Sequence, residues 1–190
     1  MGRVLIGGII GGVAVFMWGF VSHTLLPTGD MGLKQIPGED AVVAAMKGSI
    51  HDRGVYFFPG ADMRKKMTPE EQKAWQAKLE AGPTGLLVYN PRGEQALSPK
   101  QLLIELLSNM AAALIVAMLL SRLAGGFGSR ALMVMLLGLF AWLSISVSYW
   151  NWYQFSNEFT RAEAIDQIGG WLVGGLVLAA IVKGPQATSA

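Results

Sequence analysis

Residues 4–26, VLIGGIIGGVAVFMWGFVSHTLL, decide how this chain is read. No Asp, Glu, Lys or Arg interrupts them. At about 1.5 Å per residue they extend roughly 34 Å as a helix, enough to cross a hydrocarbon core of about 30 Å. Within them Gly7 pairs with Gly11 and Gly8 with Gly12 at small-xxx-small spacing. A helical glycine costs about 1 kcal/mol relative to alanine, so four in six residues imply a packing role. The apolar run is longer than a signal-peptide core and Val21-Ser22-His23 is no small-x-small cleavage site, so the segment reads as an uncleaved anchor.

Composition agrees with a membrane setting. Only 15% of the 190 residues are charged and 52% are hydrophobic, too apolar for an ordinary soluble domain of this length. Cysteine is absent, which removes disulfides, thiolate metal sites and thiol nucleophiles. The basic residues are scattered among nearly as many acids, without the basic stripe that phosphate-backbone binding needs, and nucleic acid is not an expected partner.

From these features we expect a membrane all-α fold: four transmembrane helices, both termini cytoplasmic, with a small α+β extracytoplasmic domain between helices 1 and 2. Transmembrane helix 1 takes residues 1–26 and the extracytoplasmic domain 27–97. A three-helix membrane region takes 98–190, with spans near 103–122, 131–150 and 164–183. Within 27–97, a short amphipathic helix is predicted over 39–47 and strands over 55–58 and 85–89. Thr68-Pro69-Glu70-Glu71 is a capping-box start for a helix to Ala81, and Ser98-Pro99-Lys100-Gln101 repeats that chemistry ahead of the second span. Thr160 and Glu163 offer a third capping box, placing the start of the last helix there. A turn at 125–129 makes spans two and three an antiparallel hairpin. The tail from Gly184 to Ala190 is polar and expected to fray.

Sidedness follows from the short loops. Arg3, Arg122, Arg130 and Lys183 fall on one side with no acid beside them, whereas residues 151–167 carry one Arg against Glu158, Glu163 and Asp166. The positive-inside rule puts the first group in the cytoplasm, in an inner-membrane protein. Five aromatics among residues 149–155 mark an interface, and Trp18, Trp150, Trp152 and Trp171 are the expected headgroup-level anchors.

Candidate chemistry is sparse. The middles of the four spans hold no ionisable residue, which argues against a pump or ion-coupled transporter, and none shows the continuous polar stripe of a pore. Ser108, Asn109, Ser144, Ser146 and Ser148 are available for interhelical hydrogen bonds. His23 and His51 are the only histidines, against the two axial ligands a membrane b-type haem uses, and no cofactor is expected. His51-Asp52-Arg53 and Arg64-Lys65-Lys66 read as solvated loop charges. One constellation stands out: counting from the cytoplasmic charges puts His23, Glu105 and Asp166 at a single depth near the outer rim. Such a trio could hold a divalent ion or serve as acid and base.

Two functions follow as expectations. The first is a non-catalytic structural or accessory subunit, or a small oligomer, packing on protein partners through the glycine faces Gly7, Gly8, Gly11, Gly12, Gly170 and Gly174. The second is an outer-surface enzyme or a lipid- or small-molecule-binding protein built on His23, Glu105 and Asp166.

Overall fold

A computed structural model describes residues 1–62 and 64–185. The elements are α1 (Gly2–Thr24), α2 (Glu39–Ser49), β1 (Gly54–Phe58), α3 (Pro69–Ala81), β2 (Gly85–Tyr89), α4 (Pro99–Leu120), α5 (Phe127–Ala141), α6 (Val147–Tyr153) and α7 (Asn157–Ile181). A π-helical turn at Trp142–Ser146 joins α5 to α6, making one rod over Phe127–Tyr153. Among the described residues four helices are thus long and apolar enough to cross a membrane: α1, α4, the α5–α6 rod and α7. Their length and hydropathy are those of an integral membrane protein. The tail expected to fray lies, beyond Pro185, outside the described residues.

The chain divides into two compact units, residues 1–33 with 97–190, and residues 34–96. In the first, the extensive helix pairings are α1 with α4, α1 with α7, and α5 with α7. Chain order does not predict this. The helices α4 and α5 follow one another through a short turn, yet each has its main partner elsewhere, and α1 lies against both α4 and α7.

Glycine explains the position of α1. Its buried residues are Gly7, Gly8, Gly11, Gly12 and Ser22, while Ile6, Ile9, Ile10, Val13, Met17 and Phe20 are exposed. Small residues inward and large ones outward is the pattern of a helix whose outside is lipid, because burying leucine from lipid gains nothing and close backbone approach gains dispersion. A Cβ on Gly7 would stand 2.6 Å from Val182 Cγ2, and one on Gly11 would stand 2.8 Å from Leu178 Cγ. On the adjoining stripe, a Cβ on Gly8 would lie 2.8 Å from the Leu114 Cα, and one on Gly12 2.6 Å from the Met110 nitrogen. The relation with α7 is reciprocal: Gly174 receives Val15, and Gly170 receives Val15 and Trp18. All six glycines singled out from the sequence therefore pack within the chain.

The core proper joins Ala113, Val116, Ala117 and Leu120 of α4 to Val134 of α5 and to Leu178 and Val182. At the same end of the bundle Arg130, only 9% exposed, donates from Nη1 to Val182 O at 2.7 Å and from Nη2 to Ala179 O at 3.0 Å. These are terminal carbonyls of α7 that the helix leaves unpaired, and a cation there also opposes the negative end of its dipole. Since α1 and α7 run antiparallel and Gly184 abuts Leu120 and Leu123, the four cations Arg3, Arg122, Arg130 and Lys183 share this end.

Both predicted capping boxes at Thr68 and Ser98 are present, each with its reciprocal bonds. The third is not. The last helix begins one turn earlier, with Ser156 as N-cap accepting from Phe159 N, and the Thr160 hydroxyl donates to Ser156 O within the first turn. Ser156 competes successfully because it follows Gln154, which takes the left-handed conformation that ends α6. The correction carries Glu163 from the predicted helix start into the second turn of α7.

In the second unit β1 and β2 form an antiparallel pair with Gly54 opposite Tyr89 and Phe58 opposite Gly85. The Trp75 indole of α3 donates to Pro59 O at 3.0 Å. No described residue from 34 to 96 is buried.

Candidate functional site, a polar-ended cleft beside α1

Three helix ends build the site: the last turns of α1 and the first turns of α4 and α7. Ser22 and His23 are adjacent on α1, and α7 runs antiparallel beside them, so one carboxylate reaches both. His23 Nε2 lies 2.7 Å from Asp166 Oδ2. The fully buried Ser22 hydroxyl donates to the other oxygen, Oδ1. The Asp166 side chain is 19% exposed and that of His23 55%, so the pair sits at a boundary, with the carboxylate on the inner side. The Ser22 carbonyl also accepts from Thr28, which ties the chain leaving α1 back onto the helix end.

Glu163 lies one turn before Asp166 on the same face of α7. Its carboxyl is within hydrogen-bonding reach of Ser146, a buried residue of the π-helical turn, and it feels the charges of Asp166 and His23. The π turn shifts the helical register by one residue, a device recurrent at functional sites. Its first residue, Trp142, donates from Nε1 to Thr160 O at 2.8 Å. A polar row therefore runs from Ser146 through Glu163 and Asp166 to His23 and Ser22.

Beside this row opens a cleft of about 500 Å³, within the range of small-molecule sites. Its polar lining is His23, Thr24, Glu105, Asn109, Asp166 and Gln167, and its apolar wall includes Val15, Phe16, Trp18, Phe20, Leu102 and Trp171. The trio inferred by counting depth, His23, Glu105 and Asp166, thus lines one cleft. Two of its members are in direct contact, and Glu105 stands on α4, where Asn109 Nδ2 donates to its Oε1 at 3.2 Å.

Chemistry is constrained by who holds whom. Ser22 and His23 both bond to the same carboxylate, so the imidazole is not poised to take the serine proton and no activated nucleophile results. Among the described residues no group of three or more His, Asp or Glu is arranged to hold a metal ion. The cleft combines an apolar wall with an acid-rich end.

Of the four tryptophans expected as interfacial anchors, Trp150 and Trp152 are exposed, with Trp150 Nε1 donating to Asn157 Oδ1 at 2.8 Å. Trp18 and Trp171 line the cleft. The Trp18 ring lies against Gly169 and Gly170, its indole nitrogen is buried without a hydrogen-bond partner, and Trp171 packs against the core. Of the serines singled out in the spans, Ser108 and Ser144 bond to carbonyls of their own helices, whereas Ser146 faces Glu163 of α7. Ser22, Glu163 and Gln167 were not singled out from the sequence. The available signal was the Glu163-x-x-Asp166 spacing, which sets two carboxylates on one helix face. No protein-family model, no curated protein and no solved structure matches the chain.

Proposed function

We propose that this is a non-catalytic integral membrane protein that binds an amphipathic small molecule or lipid in the cleft beside α1. The observation that carries the reading is the composition of one cavity: an aromatic and aliphatic wall along roughly 13 Å of α1, from Val15 to Thr24, ending at His23, Asp166 and Glu105. Such a lining suits a molecule with an apolar body and a polar head. In the topology we favour, both termini are cytoplasmic, residues 27–97 lie outside the inner membrane, and the polar end of the cleft faces the outer leaflet. The cluster of Arg3, Arg122, Arg130 and Lys183 at the opposite end supports that orientation.

Gly19 lines the cleft and a Cβ there would meet nothing within 4 Å, so Gly19→Trp fills the space without disturbing helix packing. Native mass spectrometry of the full chain released from mild detergent is expected to show one retained amphiphile per chain, absent in Gly19→Trp. Equal retention by both would overturn the reading.

A second reading, an accessory subunit or small oligomer, is favoured by a different observation. The unit of residues 34–96 has no buried described residue, so cover from a partner would add the core it lacks. With the glycine faces filled from within, such contacts would use this unit or the outer helix faces. A monodisperse monomer with no co-purifying protein would count against it.

A further inference from the structure

The cleft selects among amphiphiles by charge. We infer that its ligand carries a cationic amine head, either a free alkylamine or an amine-headed lipid, and that Glu105 is the counter-ion. This rests on the proposed function and goes further by naming the ligand chemistry.

The argument begins from the charges that face the cleft. Its lining contains two carboxylates, Glu105 and Asp166, and one histidine, with no lysine or arginine. Glu163 adds a third carboxylate beside Asp166. Even with His23 protonated, the acids outnumber the cations. An anionic head would meet repulsion with no guanidinium or ammonium to hold it, whereas an ammonium would meet a favourable potential.

The two lining carboxylates are not equivalent. Asp166 has both oxygens engaged, one by Ser22 and one by His23. Among the described residues Glu105 accepts from Asn109 through Oε1 alone, and its second oxygen is the acceptor on offer to a ligand. Asn109, which lines the cleft one turn along from Glu105, has an amide oxygen that can accept as well as the N–H it donates to Glu105. An ammonium has three donors and no acceptor, which matches that pair. Trp18, Trp171, Phe16 and Phe20 supply the remaining surface, and aromatic faces attract cations while rejecting anions. Asp166, held by its own chain, acts as fixed background charge.

The test uses the protein in mild detergent and reads the change in tryptophan fluorescence, to which Trp18 and Trp171 of the cleft contribute, during titration with decylamine, decanol and decanoate, which share a ten-carbon chain. Decylamine is expected to bind about tenfold or more tightly than decanol, as a charged hydrogen bond predicts, with decanoate weakest. Glu105→Gln, on an exposed helix turn, is expected to remove the preference for decylamine over decanol. Lysophosphatidylethanolamine separates the sources: competition with decylamine assigns the ammonium to a lipid, and failure to compete assigns it to a free amine. Equal affinity for decylamine and decanol, or a preference that survives Glu105→Gln, would overturn this inference and leave the amphiphile-binding reading standing. Failure of all three tails to bind would overturn both.

Discussion

At Gly12 an added methyl group would strike the backbone of α4, whereas at Gly48 it would meet nothing within 4 Å. Those two glycines stand for two regions of one chain. Along α1 of the four-helix unit the small residues are inside, bulky side chains face outward, and neighbouring backbones come close. In the unit of residues 34–96 no described position is buried, and order there comes from caps, a two-stranded ladder and single bonds such as Trp75 to Pro59. The difference teaches that glycine has no fixed energetic meaning. Where it admits a neighbour it stabilises through close contact, and where it faces open space only its backbone entropy remains.

The comparison can be broken at its strongest point first. Gly12→Val should destabilise the helix bundle by about 3 kcal/mol or more, since the α4 backbone rather than a flexible side chain blocks the new methyl groups. Thermal denaturation in detergent reads this as a lowered midpoint, and an unchanged midpoint would mean that α1 and α4 are not in contact. Next, Arg130→Met should cost about 1.5 kcal/mol, because it strips two charged hydrogen bonds from the end of α7 while keeping the length of the side chain. Faster hydrogen exchange confined to the last turns of α7 would show the loss to be local. Smallest and opposite in sign, Gly48→Ala should stabilise α2 by about 0.5 to 1 kcal/mol. Slower exchange of α2 amides with no shift in the bundle midpoint would sharpen the contrast, and a loss of stability would erase it.

Much of the framework was legible because its signals are local. Capping boxes at Thr68 and Ser98 need only four residues each, and apolar length alone identifies a spanning helix. The last helix start was misplaced because two hydroxyl residues four apart, Ser156 and Thr160, both qualify as caps, and the left-handed residue Gln154 that decides between them carries no sequence mark. Depth counting set His23, Glu105 and Asp166 at one level because rise per residue is constant along a helix, and the three line one cleft. Counting fixes level and not azimuth, however, so it could not tell that His23 meets Asp166, that Ser22 shares the same carboxylate, or that the Trp18 ring lies against Gly169. Which glycine stripe takes which helix was likewise hidden. Gly7 and Gly11 differ from Gly8 and Gly12 only by one residue of rotation, yet the first two receive α7 and the second two α4.

That double seat has a consequence for biogenesis. Ribosomes deliver α1 well before α4, and α7 comes last of the four, so the earliest span must linger in lipid with both grooves vacant until its neighbours arrive. A chain arrested after Leu120 would have one groove occupied and one open, leaving the Gly7 and Gly11 stripe bare to any passing helix. Completion of synthesis, rather than insertion, is the moment at which this protein closes upon itself.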